Sequence, residues 1–228
     1  KHSHDGQKRK SGKPYFEHCI AVAKLLADWH MDINTIIGGI LHDCIEDTPV
    51  SFEELSNEFG EEVASLVDGV TKLGGIEYNT RKEKQAENLM KMFLSMAKDI
   101  RVVIIKFADR FHNMKTIEYL SLIKQRRIAI ETRDVYSPLA HRLGMFELKS
   151  QLDDLVFKTL QPEKYKKVDK NLRSRILNRS KSLKKITNKI KINLNELKIN
   201  YELKTRFKSH SSIYQKMLNQ NKDFAEIH

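Results

Sequence analysis

The run Leu41-His42-Asp43-Cys44-Ile45-Glu46-Asp47 most constrains how this chain can fold, because it sets a histidine and three carboxylates at the end of the apolar stretch Ile36–Leu41. Carboxylates crowded together raise each other's pKa, and removal from water adds to the penalty, so a compensating cation is the economical solution. One adjacent His-Asp pair offers at most two protein ligands. The others have to come from distant parts of the chain, so the fold must bring separate helices together at this point. On a continuous helix His42 would lie over Glu46 and Asp43 over Asp47, giving four polar groups at one helix end.

The rest of the chain permits such a fold. Its 228 residues allow one large domain, or one domain and part of another, and 40% apolar with 31% charged residues is ordinary for a soluble globular protein. The longest apolar runs, such as Ile36–Leu41 and Val102–Ile105, fall far short of the ~18 residues of a membrane span, and the basic start is no secretory signal. A cytoplasmic location is the expectation. Cys19 and Cys44 are the only cysteines and form neither a zinc-binding pair nor a disulfide scaffold, so buried, reduced thiols are expected. The first residue is Lys1 rather than Met, as in an excerpt or a processed chain.

The net charge of +11 is regional: residues 1–161 hold 23 basic and 24 acidic side chains, whereas residues 162–208 hold 16 and 4. That basic stretch suits a polyanion such as nucleotide phosphates or RNA, or else is simply a solvated helix and linker.

Hydrophobic spacing predicts a helix after Pro14 that includes His18 and ends near Trp29, and a second one capped by Asn34 and stopped by Thr48-Pro49. Ser51 and Glu54 form a capping box for a third, ending at Gly60. Helices follow at 61–73 and 82–98 around Gly74-Gly75, then at 122–142 and 146–160. Val102–Ile105 has strand propensity, but its flanks favour a buried helix over 99–119. After Pro162, residues 165–198 read as a long lysine-rich helix with a narrow apolar stripe, and 199–207 alternate as a strand would. Residues 1–160 are therefore expected to form a helical bundle, 161–197 a basic linking helix and 198–228 the start of another domain.

Partners for His42-Asp43 are few: His18, inside the first amphipathic helix, and Asp109, at the end of the apolar run Val102–Ala108. Two imidazoles and two carboxylates, with positions left for water, suit an octahedral Mn²⁺ better than a structural zinc, while zinc and iron remain open. Singly, each residue has a plainer reading: a satisfied core histidine, an acidic helix end, a buried ion pair of Asp109 with Arg110. Together they converge.

Five segments in order, Arg9-Lys10-Ser11-Gly12-Lys13-Pro14-Tyr15, His42-Asp43-x-x-Glu46-Asp47-Thr48, Val67–Leu73, Ala108-Asp109-Arg110-Phe111-His112-Asn113-Met114 and Tyr136-x-Pro138–Gly144, resemble the HD-type hydrolase domain of the RelA/SpoT family. The resemblance implies an all-α HD-domain bundle that removes the 3′-pyrophosphate of the alarmone (p)ppGpp, giving GDP or GTP and pyrophosphate. It also implies Mn²⁺ held by His18, His42, Asp43 and Asp109, with Glu46 and Asp47 as the catalytic acidic pair that orients or deprotonates the attacking water. Arg9, Lys10 and Ser11 match positions lining the family's nucleotide pocket, and Asn113 and Thr116 would share Asp109's helix face and bind ribose or phosphate. Cys44 and Phe111 are small departures from the pattern that spare the chemistry.

Past residue 200, Arg206-x-Lys208-x-x-x-Ser212-Ile213-Tyr214-x-Lys216-Met217 resembles the opening of the family's α+β pyrophosphokinase domain, with Thr205 replacing a usual glycine. That domain's acidic residues lie further downstream in the family. No synthetase activity is expected from these residues, although a longer parent would be bifunctional. Two other readings compete: an HD phosphohydrolase acting on another nucleotide, against which Arg9-Lys10-Ser11-Gly12 argues, and a catalytically silent regulatory or RNA-binding fragment, against which the intact site argues. No membrane partner is expected; oligomeric state and ribosome association of a longer parent stay open.

Overall fold

The computed structural model describes residues 6–74, 98–205 and 208–226. The described residues are helical, with no strand among them, and divide into two compact units, one ending at Leu152 and the other beginning at Asp153. All but the last residue of the expected helix at 82–98 lie outside the described residues.

In the first unit, α1 (Phe16–Asp28), α2 (Ile33–Leu41), α3 (Cys44–Asp47), α4 (Phe52–Phe59) and α5 (Glu61–Gly74) precede α6 (Ile100–Lys115). Local chemistry sets their ends. Asp32, rather than Asn34, caps α2 by accepting from the Thr35 amide at 3.0 Å, and Asn34 instead donates to Glu62. The expected capping box is present at α4: Glu54 N–H donates to Ser51 Oγ at 3.2 Å, and Ser51 N–H to Glu54 Oε2 at 2.8 Å.

Strand propensity at Val102–Ile105 loses to helix because this segment is surrounded by other helices. Val102, Val103, Ile105, Phe107, Ala108 and Phe111 are all buried, so α6 is apolar around most of its circumference and sits centrally against α1, α2 and α5. Val22, Leu26, Leu66, Val70, Val102, Ile105 and Ala108 form the core between these four helices. Gly39 admits the closest approach: a Cβ there would overlap Leu26 Cδ1, so any larger residue requires the buried Leu26 side chain to shift.

The expected helix 122–142 is α7 (Leu122–Glu131) and α8 (Ser137–Arg142), joined through a π-helical turn at Thr132–Tyr136. The Tyr136 ring lies 4.2 Å from the Arg110 guanidinium, which donates to Glu131 at 2.9 Å. That bond links the residue after Asp109 to the end of α7.

The second unit takes the C-terminal part of α9 (Phe146–Leu160), then α10 (Pro162–Glu196) and α11 (His210–Gln220). Phe157, Val168, Leu172 and Ile213 make its small core. Along α10 the apolar stripe is largely solvent-facing at Ile186, Ile190 and Ile192. The expected strand does not form over 199–205, the part of it that is described. A strand is held by hydrogen bonds to a neighbouring strand, and no described segment supplies one.

Candidate metal centre and the cavity beside it

Three helices deliver the four expected ligands. His18 comes from α1, Asp109 from α6, and His42-Asp43 from the turn where α2 stops and α3 begins. The continuous helix expected through this segment is thus interrupted: His42 closes α2 and Asp43 opens α3. Both residues keep helical backbone angles, and Asp47 N–H still donates to Asp43 O at 2.8 Å, so Asp43 remains one turn before Asp47 while the His-Asp pair meets His18 of α1 and Asp109 of α6.

His18, His42 and Asp109 each offer a ligand atom within 4.8 Å of the others. His18 Nε2 lies 3.3 Å from Asp109 Oδ1, and His42 Nε2 lies 4.0 Å from it. Asp43 completes the set, with Oδ2 at 2.9 Å from His42 Nε2 and 3.8 Å from His18 Nε2. All four residues are buried.

The donor set fits a cation on one structural ground in particular. The Nδ1 of His42 faces the Gly39 carbonyl at 2.8 Å and so carries the ring proton, leaving a lone pair on Nε2. That Nε2 is the one buried side-chain nitrogen or oxygen among the described residues without a hydrogen bond. A lone pair facing carboxylate oxygens needs a positive charge between them. His18, His42 and Asp109 therefore form a candidate site for a divalent metal.

Electrostatics keep the carboxylates of Asp43 and Asp109 ionised, as a cation site requires. Burial pushes the Asp109 carboxyl up, but Lys106, His18 and His42 outweigh it and hold Asp109 below the ordinary carboxylate range. Asp43 behaves similarly, its burial outweighed by His42 and by the Tyr15 hydroxyl, which donates to its Oδ2 at 2.7 Å. Burial lowers His18, whereas Asp43 and Asp109 overcome burial to raise His42. Burial also pushes the Cys19 thiol up to about 12, so Cys19 offers no competing thiolate.

Glu46 and Asp47 sit on α3 with exposed side chains, at the rim rather than among the ligands. Partial loss of water raises Glu46, with Lys106 opposing and Asp43 adding to the shift.

Three residues near the ligands went unassigned in the sequence. Lys106 Nζ lies 3.5 Å from Asp109 Oδ2, one helical turn away. His112, three residues past Asp109, places Nδ1 2.7 Å from His18 Nδ1, and burial with the nearby charges of His18 and Arg9 lowers its pKa to about 4. Tyr15 is the third. For Lys106 and His112, spacing of three from Asp109 was the available signal, since such residues share a helix face.

Beside the ions' donors opens a cavity of about 650 Å³, within the usual range for small-molecule sites. Arg9, Lys10, Ser11, Asn113 and Thr116 all line it. The first three belong to a tight turn closed by Gly12 N–H to Arg9 O at 2.8 Å, where Gly12 takes a φ of +80°. Asn113 follows Asp109 by one turn and donates to its Oδ1, whereas Thr116 caps α6 and lies just beyond its last residue. Arg9 reaches across to α6, donating to Asn113 Oδ1 and, at 3.1 Å, to His112 Nδ1.

Residues 1–146 match the HD-domain family. A probable guanosine-3′,5′-bis(diphosphate) 3′-pyrophosphohydrolase of Synechocystis sp. is 47% identical over 99% of this chain, which covers 30% of that relative. The bifunctional (p)ppGpp synthase/hydrolase SpoT of Escherichia coli K12 is 43% identical over 99% of the chain and 32% of the relative. A GTP pyrophosphokinase of Myxococcus xanthus is 45% identical, with 30% of its length covered. Among solved structures, one described as a metazoan ortholog of SpoT that hydrolyzes ppGpp and plays a role in starvation responses matches with a TM-score of 0.54 and 28% identity, covering 70% of this chain and 90% of that one. The chain belongs to the HD-domain family, as an HD hydrolase domain of the RelA/SpoT type. It spans about a third of the length of the curated relatives it matches.

Proposed function

We propose that the first unit removes the 3′-pyrophosphate from ppGpp or pppGpp, with Mn²⁺ held by His18, His42, Asp43 and Asp109. The observation that carries this reading is the shared wall: Asn113 lines the basic cavity and hydrogen-bonds the ligand Asp109, so a nucleotide in the cavity would lie against the ion's donors.

When bound, a divalent cation makes water more acidic and polarises a phosphoryl oxygen. The protein's own groups do the rest. Lys10 neutralises phosphate, and Ser11 and Thr116 offer hydroxyls to ribose or phosphate. Arg9 is held by its edge against α6 with its Cζ 5.9 Å from the Tyr15 ring centre, and the side of the guanidinium away from that ring is left for stacking on a base. Glu46, with its carboxyl raised, suits proton transfer nearer neutral pH than an ordinary glutamate does, and Asp47 orients the attacking water.

The longer protein is read as bifunctional and cytoplasmic, with 161–197 as a linking region and 198–228 as the start of its synthetase domain. Relatives named for the synthase, the hydrolase and both support the bifunctional part. Among the described residues no helix is long and apolar enough to cross a membrane.

The test is product analysis of purified protein with ppGpp and Mn²⁺. Equal amounts of GDP and pyrophosphate are expected. Orthophosphate release, or faster turnover of a deoxynucleotide or cyclic dinucleotide, would refute the assignment.

A further inference from the structure

We propose that Arg9 and His112 act as positioning residues that fix the tautomer of His18, so that its Nε2 lone pair faces the ion site before any ion arrives. This rests on the metal reading of the site and not on the identity of the nucleotide.

The argument is one of donors and acceptors. Nδ1 of His18 and Nδ1 of His112 lie 2.7 Å apart, so a single proton is shared between them and one ring must accept. Distance alone leaves the owner of that proton open. Arg9 settles it, because its NH1 also points at Nδ1 of His112, at 3.1 Å, and a guanidinium has hydrogens to donate and no lone pair with which to accept. A proton on His112 Nδ1 would face the Arg9 N–H hydrogen to hydrogen. Nδ1 of His112 therefore carries no hydrogen, its single lone pair lies toward both donors with the His18 contact the shorter, and the shared proton belongs to His18. With Nδ1 protonated, a neutral His18 has its lone pair on Nε2, the atom 3.3 Å from Asp109 Oδ1 and 3.8 Å from Asp43 Oδ2.

His42 reaches the same state by a shorter route, through the Gly39 carbonyl. The two imidazoles are thus prepared by different means, one by the backbone of its own helix and the other by a side-chain chain that begins in the cavity wall. Without Arg9 and His112 the arrangement would reverse, since a proton on His18 Nε2 could be donated to Asp109. Binding an ion would then require that proton to move first. Arg9 also holds Asn113, which donates to Asp109, so one guanidinium reaches two ligands through adjacent residues of α6.

Two measurements on the full 228-residue protein test this, both without nucleotide. In long-range ¹H–¹⁵N spectra of metal-free, ¹⁵N-histidine-labelled protein, His18 should carry its proton on Nδ1 in the wild type and on Nε2 in Arg9→Met. In calorimetric titrations with MnCl₂, His112→Leu should weaken binding about 10–100-fold, the usual effect of removing the partner that orients a metal-binding imidazole. His112→Asn, whose Oδ1 takes the place of Nδ1, should bind close to the wild type. Arg9→Met is the sharpest arm: loss of a nearby positive charge alone would tighten Mn²⁺, whereas loss of tautomer control weakens it. Unchanged melting of the metal-free variants separates positioning from folding.

A wild-type His18 protonated on Nε2, or variants that bind Mn²⁺ as tightly as the wild type or tighter, would overturn the proposal. So would a wild type that binds no divalent ion. Failure to cleave ppGpp with Mn²⁺ bound and the tautomer as expected would sink the substrate assignment alone.

Discussion

Replacing Lys106 by methionine removes the positive charge nearest Asp109 while keeping an unbranched stem in the same space. Nζ lies 3.5 Å from Asp109 Oδ2, and the Lys106 side chain is only 13% exposed. At that distance an effective dielectric of about 20 gives an attraction of about 4–5 kcal/mol, and truncating one member of a buried ion pair typically costs about 3–5 kcal/mol. Methionine recovers some apolar burial, so a loss of about 3 kcal/mol is expected in the metal-free protein. The ion reverses part of this. With Lys106 gone, Mn²⁺ becomes the main counter-charge for Asp43 and Asp109, so the variant should bind it more tightly and gain more stability from it than the wild type does. Stabilisation by a ligand at about 100 times its Kd is roughly 2.7 kcal/mol. Urea unfolding followed by fluorescence of Trp29, the single tryptophan, reports on this unit, because Trp29 packs against the core that α6 shares. Denaturation midpoints would be compared in chelator and in excess Mn²⁺. Equal stability of Lys106→Met and wild type in chelator would refute the view that this lysine balances the carboxylates.

His42→Ala or Asp43→Ala should abolish Mn²⁺ uptake and hydrolysis together, as judged by metal content and product release on one sample. Asp47→Ala, by contrast, should keep the metal while turnover falls about 10²–10⁴-fold, the usual weight of acid–base assistance; wild-type turnover would remove Asp47 from the chemistry. Gly39→Ala should destabilise by about 1–3 kcal/mol through overlap with the buried Leu26 and should weaken Mn²⁺ binding by shifting the carbonyl that orients His42; a neutral substitution in thermal melts would contradict the packing argument. On the acid side, the hydrogen bond from Arg101 holds Asp99 below the ordinary carboxylate range. A depressed folded pKa means stability that is present above the unfolded value of about 3.9 and lost as pH falls through the folded one. Asp99→Asn should flatten the loss of stability below about pH 4, and an unchanged acid limb would show that this carboxylate does not couple to folding.

Helical periodicity and capping chemistry made most of the first unit legible, since both act within a turn or two of chain. Asp32 displaced Asn34 as the cap of α2 because Asp32 has the extended backbone a cap needs, a local detail that spacing alone does not show. The strand expected at 199–207 fails over its described part for a different reason: alternation marks a segment able to pair, and pairing requires a second strand that the sequence pattern does not guarantee. At the site, the ligand types were readable because a histidine and carboxylates at an apolar helix end admit few explanations. The interruption between α2 and α3 at His42-Asp43 was not readable, because it falls within a run of helical backbone angles that residue spacing does not divide.

By itself, then, the sequence determined that this chain is a helical bundle gathered around a His-Asp pair, because apolar spacing and the cost of clustered carboxylates are properties of the residues and their order. For His42 the available nitrogen is set within its own helix, by the Gly39 carbonyl three residues earlier. Tertiary structure alone decided it for His18, through His112 and Arg9, respectively 94 and 103 positions from their partners, so proximity in space rather than in sequence sets where that proton lies.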